Sequence, residues 1–259
     1  MWNDNSDWLW GVIRNAQLRS IFFPDWTLHV YAQANYQHRK QGKISNDNVF
    51  LKTTLIDVGS TLETLKTFKH VDVKYVNSSL LLSDVPPSLW NLLAVDEPGA
   101  AYVLLRQPDM RLSQRDATAI ANWLENSNKH KAVHCMRDHP RHADMAIVPG
   151  LWAINTSAVK DILQGQSMQS LLENLSDISS SNHTRVDVES RIYDHMWNLF
   201  KNHSMCHDSV SCTLWPNSVS FPSRRHTGEF VGKLYTAFEP ISTDIKPSFT
   251  SHSRCFTHQ

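Results

Sequence analysis

Three short polar stretches each follow an apolar run, and each carries side chains that can do chemistry. The first is Arg106-Gln107-Pro108-Asp109-Met110-Arg111, directly after the run AAYVLL at 100–105. Asp109 is a hard oxygen donor suited to a divalent cation. Gln107 offers an amide, and Arg106 and Arg111 can offset the charge of a diphosphate. Without a ligand the same stretch reads as a solvated loop with an Asp109–Arg111 ion pair. The second is MRDHPRH at 136–142, after KAVHC. Here Asp138 can take a proton from a hydroxyl or orient His139. Arg137, His139 and His142 crowd around it, and Pro140 fixes the turn. The structural reading has Asp138 capping that turn and pairing with Arg137. The third is His207-Asp208-Ser209, in which His207 is either a metal ligand or a polar loop residue. His134, His139 and His142 also admit a zinc reading. Their four and two intervening residues, broken by Pro140, do not match a helical i, i+4 pair, so that signal is weak. Trp152 can stack on a sugar ring or serve as a core aromatic.

The elements that must position these stretches alternate between helix and strand. DWLWGVIRNAQLRSIFF reads as a helix with Leu9, Val12, Ile13, Ala16 and the stem of Arg19 on one face. PDWTLHVYA gives a turn and a strand. STLETLKTF is a helix, VDVKYV an alternating strand, and PPSLWNLLAVD a helix opened by proline. AAYVLL, KAVHCM and AIVPGLWAI are strands. SQRDATAIANWLENS is the clearest helix: Ser113 and Asp116 form a capping-box-like pair, and Ala117, Ile120, Ala121 and Leu124 form its apolar stripe. AVKDILQ, MQSLLENL and VDVESRIYDHMWNLFKNH are further helices, with the polar loop SDISSSNHT among them. This alternation predicts an α/β sheet covered on both faces. Ligands of such sheets bind beyond the C-terminal ends of strands. The three polar stretches are therefore expected to converge on one cleft lined by Asp109, Asp138 and His207.

Composition narrows the function classes. At 259 residues the chain can build a sizeable core. A formal net charge of zero leaves no basic footprint for nucleic acid. No apolar run approaches a membrane span, and the N-terminal MWNDNSDWLWG does not read as a signal peptide or anchor. The compartment is left open between cytoplasm and secretory lumen. The four cysteines, Cys135, Cys206, Cys212 and Cys255, form no C-x-x-C pair. A Cys206–Cys212 disulfide is open on spacing alone. Glycosylation triplets at Asn77, Asn155, Asn174, Asn182 and Asn202 raise a secretory reading only slightly in a chain rich in Asn, Ser and Thr. The segment from Ile241 onward has little periodicity and is expected to be a disordered tail, with a single domain over residues 1–240.

Residues 88–155, with GVIRNAQL and FPDWTLHVY before them and HDSVSC, FPSRR and EFVGKLY after them, resemble a family of glycosyltransferase-like proteins with the nucleotide-diphospho-sugar transferase (GT-A) fold. That family shows a strand ending in RDxDSR, then MRDHPxH, GGxWG and HDSYxC. The resemblance runs from about Trp8 to Tyr235. It departs from the pattern at four places: a first strand that is truncated before MWNDN, Gln107 in place of an acid, Asn91 in place of the arginine in the WRFL helix that the family also shows, and Pro149 and Ala153 in place of two glycines.

The resemblance implies a GT-A-like, Rossmann-like mixed sheet with helices on both faces. It implies transfer of a sugar from a nucleotide-sugar donor to an unknown acceptor, assisted by Mn²⁺ or Mg²⁺ at the diphosphate. It would make Asp138 the catalytic base. Asp109 and His207 would be metal ligands, and Arg106, Gln107, Arg111, Arg137, His139, His142 and Trp152 would line the donor or acceptor. Two other readings stand beside it: a descendant that binds a sugar or nucleotide without turnover, and a metal-dependent hydrolase using the histidines.

Overall fold

The computed structural model describes residues 6–33, 58–76, 85–126, 131–177, 185–215, 217–226 and 228–235. The expected tail, most of the polar loop at 176–184, and Cys255 lie outside them. The fold is mixed α/β. Strands β1 (Leu28–Gln33) and β2 (Val71–Val76) pair in parallel as a two-stranded sheet. The larger sheet runs β3 (Tyr102–Leu105), β5 (Trp152–Asn155), β4 (Val133–Arg137), β6 (Ser204–Asp208) and β7 (Ser218–Val219), in that order. β5 is antiparallel to both β3 and β4, whereas β4, β6 and β7 run parallel. The C-terminal ends of β3, β4 and β6 therefore share one rim.

Side chains alternate across the larger sheet, as strand geometry requires. Val103, Leu105, Val133, Cys135, Trp152, Ile154 and Cys206 point into the largest core. There they meet α4 (Thr156–Ile162), α5 (Met168–Asp177), α6 (Arg185–Phe200) and the 3₁₀ segment Pro87–Asp96. Tyr102, Leu104, Ala153 and Met205 point the other way, onto Ile120 and Trp123 of α3 (Gln114–Asn126). Helices thus cover both faces. Each fully buried aromatic removes a large apolar area from water, so Trp123 and Trp152 do much to hold the two layers to the sheet.

Three sequence expectations shift. The stripe of α3 is Ala119, Ile120 and Trp123, with Asp116 buried in its first turn; Ala121 is exposed. The reason is Trp123, whose large ring takes the deepest place and rotates the buried face by one position. Only half of the capping box forms: Ser113 Oγ accepts from the Asp116 N–H at 3.2 Å. The Asp116 carboxylate turns instead to Arg106. Finally, the strand read across 146–154 begins only at Trp152, because Gly150 at φ +77° breaks the extended run.

The two-stranded sheet has its own apolar cluster with α1 (Ser6–Phe22) and α2 (Val58–Lys66): Leu9, Val12, Ala16, Val58, Leu62 and Leu65. The expected face of α1 is in place, including Arg19, which is 7% exposed and donates to the carbonyls of Pro24, Trp26 and Lys69. On the flank of this face, beside Arg19, α1 carries a second buried polar residue that the periodicity did not single out, Asn15.

Candidate functional site

Asn15 holds the first polar stretch. Its Nδ2 donates to the carbonyls of Pro108 (3.1 Å) and Met110 (2.8 Å), and its Oδ1 accepts from the Leu112 N–H and the Tyr235 hydroxyl. One turn earlier Gly11 lets the helix approach. A Cβ there would lie 2.6 Å from the Pro108 carbonyl oxygen. From the other side, residues 233–235 pair with the stretch: Arg111 N–H donates to Lys233 O and Tyr235 N–H to Asp109 O. The stretch is thus clamped between α1 and the EFVGKLY segment.

Within the clamp the candidates part company. Arg106 gives two bonds to Asp116 (2.8 and 3.2 Å) and two to the carbonyls of Leu105 and Trp152, so it ties β3 to α3 and β5 rather than facing a diphosphate. Arg111 lies over the Tyr235 ring at 5.0 Å. Gln107 is packed against Gly150, where a Cβ would come within 2.7 Å of its backbone nitrogen. Asp109 is half-buried toward α1. Burial first, then the nearby Asp7 carboxylate, push its pKa up, while a hydrogen bond with Trp8 opposes them. Its Oδ1 is buried and has no hydrogen-bond partner.

The second and third stretches prove to be partners of each other. Parallel pairing sets Arg137 opposite Asp208. Arg137 Nε donates to Asp208 Oδ2 at 2.7 Å, with both side chains fully sealed. Asp208 also accepts from the N–H groups of Val210 and Ser211 and from the Ser211 hydroxyl. Burial alone would raise the Asp208 pKa, but these donors hold it below the usual carboxylate range. Asp138 pairs not with Arg137 but with Arg115 of α3, through two bonds of 2.8 and 2.9 Å. Ser209 Oγ and the Val231 N–H complete its shell at 2.6 and 3.0 Å. A carboxylate with no exposure and four donors already on it holds its neighbours in place; in this arrangement no acceptor hydroxyl can reach it.

His207 sits on the opposite face of β6 from Asp208. Its Nδ1 is 2.6 Å from His134 Nε2 and its Nε2 is 3.3 Å from Asn122 Oδ1. Burial, then Arg115, bring its pKa down to about 4. His134 stacks on Trp123 and is also driven well down, by burial and by His207. His139 and His142 instead lie together in the turn after β4, with ring centroids 5.7 Å apart. The three histidines of the zinc reading are therefore split between a sheet face and a turn. Trp152 is fully buried and packs edge-on against Tyr193 at 6.1 Å, so it is a core residue with no face for a sugar.

The implied Mn²⁺ or Mg²⁺ does not fit these residues. Asp109 has one free oxygen, but both nitrogens of His207 are engaged. The ends of β3 and β6 are three strand spacings apart, about 14 Å, and Asp109 turns toward α1, whereas ligands of one ion lie within about 5 Å of each other. Among the described residues no group of three or more His, Cys, Asp or Glu is placed to hold a metal. The expected cleft shared by Asp109, Asp138 and His207 is not formed.

Sequence reasoning missed Arg115, Arg225 and Asn15. Arg115 was visible as the cation in the first turn of an amphipathic helix, and Arg225 as part of FPSRR. Arg115 lies 4.0 Å over the Phe221 ring and donates to the Ser223 carbonyl. Arg225 donates to the Asp138 carbonyl at 2.5 Å. Cys206 is a free, buried thiol facing Cys135 across the β4–β6 seam, and Cys212 is disulfide-bonded, so the Cys206–Cys212 bridge is not formed. No helix among the described residues is long and apolar enough to cross a membrane.

The fold and rim define a mixed α/β protein with polar groups collected at the C-terminal ends of its parallel strands. Compared with known proteins, the chain matches no family model, no curated protein and no solved structure.

Proposed function

We propose that the protein is a glycosyltransferase-like protein with a GT-A-like fold, taking a nucleotide-sugar donor at the rim formed by the ends of β3, β4 and β6. The observation that carries this reading is that three separate polar stretches lie along that rim, at the ends of three parallel strands, each fixed by partners from distant parts of the chain. α1 and residues 233–235 grip the loop 107–112, and Arg115, Ser209 and Val231 grip Asp138. Such effort to fix loops at strand ends is what a ligand site in an open α/β sheet needs. No step is assigned to a metal. The test is a panel of nucleotide sugars offered with mono- and disaccharide acceptors. Release of nucleoside diphosphate above the no-acceptor rate supports transfer; its absence across the panel rejects turnover.

A second reading has its own support. The carboxylates of Asp116, Asp138 and Asp208 are each taken up by an arginine and are almost wholly buried, at 1%, 0% and 0% exposure. A protein that binds a nucleotide or sugar without turnover needs no free base. In the same panel it raises the melting temperature with a nucleotide sugar and releases no diphosphate.

A further inference from the structure

We propose that His139 and Arg225 form an oxyanion site at the rim that takes a phosphate group without a divalent cation. The site rests on its own geometry; only the identity of the phosphate's carrier rests on the glycosyl-transfer reading.

Arg115 and Arg225 both lie against Asp138, at 2.8 and 3.8 Å. Its oxygens are already met by two bonds from Arg115, one from Ser209 and one from the Val231 N–H. Two guanidinium groups share one carboxylate, so one positive charge is left over. The other pairs differ: Arg106 has Asp116 to itself, and Arg137 has Asp208. The Arg225 side chain is only 16% exposed, and one bond, to the Asp138 carbonyl, is its whole hydrogen bonding within the described residues. Among the described residues Nε and Nη2 remain as donors in fork geometry. A guanidinium this far out of water that shares its carboxylate with a second arginine is costly, and a phosphate oxygen pair matches the fork.

His139 supplies the second donor type. Its Nδ1 accepts from the Arg141 N–H at 3.2 Å. A backbone N–H can only donate, so a neutral ring must carry its proton on Nε2. Burial, then Arg141 and Arg225, lower its pKa, which favours the neutral form that this hydrogen bond requires. Phe230, at 4.4 Å between ring centroids, and His142 hold it in place. His142 in turn accepts from the Asp138 N–H through Nδ1 at 3.4 Å. Arg225 bonds the carbonyl of Asp138, the residue before His139, so the N–H donor and the surplus guanidinium belong to one turn, with the exposed Arg141 and Arg224 adding positive potential. Among the described residues the ion pair of Arg225 is with Asp138, and the nearby Glu229 bonds Lys233.

The experiment is calorimetric titration of the full chain in EDTA with inorganic pyrophosphate, uridine diphosphate and glucose 6-phosphate. Pyrophosphate is expected to bind in EDTA. Tighter binding of uridine diphosphate than of glucose 6-phosphate assigns the phosphate to a nucleotide donor, and the reverse order assigns it to a phosphorylated acceptor. Arg225→Gln should weaken pyrophosphate at least tenfold and His139→Phe several-fold, whereas Arg224→Gln, an exposed neighbour, should change it less than twofold. In case Arg225→Gln does not fold, ¹⁵N spectra of the wild-type imidazoles give a second readout. The His139 Nε2 resonance should move on adding pyrophosphate while that of the buried His134 stays. Binding that needs Mn²⁺, equal weakening by Arg224→Gln and Arg225→Gln, or an unmoved His139 resonance overturns the proposal. Phosphate binding in EDTA without diphosphate release in the nucleotide-sugar panel leaves this site standing and removes only turnover.

Discussion

Two arginine–carboxylate pairs lie at the end of β4, one joining it to β6 and the other to α3, and they differ in kind. Arg137–Asp208 lies inside. Both partners are sealed, charges match one to one, and backbone N–H groups and hydroxyls fill the remaining lone pairs. Arg115–Asp138 lies at the rim. Its carboxylate is sealed, but Arg115 and Arg225 reach outward at 12% and 16% exposure, and cations outnumber the anion. An internally balanced pair has nothing left to offer a ligand, whereas an unbalanced one does. The difference comes from strand alternation. Arg137 and Asp208, the last residues of their strands, point to the large core, and the residues that follow, Asp138 and Ser209, turn to the α3 side.

The largest expected effect tests the sealed pair. Arg137→Met strands Asp208 without its partner and should cost roughly 3–5 kcal/mol in denaturant unfolding. Arg225→Gln at the rim removes one bond to a carbonyl and should cost no more than about 1 kcal/mol. Equal losses would erase the distinction between the two pairs. A further effect follows from pH. The folded chain holds His207 and His142 near pKa 4, below their ordinary 6.5. As pH falls below 6.5 the unfolded chain takes up protons that the folded chain refuses. Stability present above 6.5 is therefore lost progressively down to about 4, by up to roughly 3 kcal/mol per histidine. His207→Gln should flatten the slope of unfolding free energy over that window, and an unchanged slope would refute the burial argument for this ring. Asn15→Ala removes the clamp on the first polar stretch and should cost about 1–3 kcal/mol. Hydrogen exchange should rise at Met110 and Leu112 while the Arg137 region stays protected. The smallest effect is at Ala121: Ala121→Lys should shift stability by less than about 0.5 kcal/mol, since that position faces water.

Much of this was legible in the chain. Alternating apolar runs and amphipathic segments gave the α/β class and most of the elements. The rule that polar residues gather past strand ends placed the three stretches along one rim of the sheet. The roles of individual residues were less accessible. Asp138 looked like a base and is a bound anion. Arg106 looked free and is spent on Asp116. Asp109 and His207 looked like co-ligands and lie apart. In each case the deciding partner comes from elsewhere in the chain: Arg115 is 23 residues from Asp138, and Ser209 is 71.

The sequence by itself determined which segments are helix or strand, because hydrophobic period and turn residues act over a few neighbours. It also determined that polar groups crowd at three strand ends. Only the tertiary structure decided which of those groups are neutralised, because the register that sets Arg137 against Asp208, and the packing that brings α3 and residues 223–231 onto Asp138, join parts of the chain that no local pattern connects. Charge is matched through space, so a surplus such as that at Arg225 becomes visible only once the chain has folded.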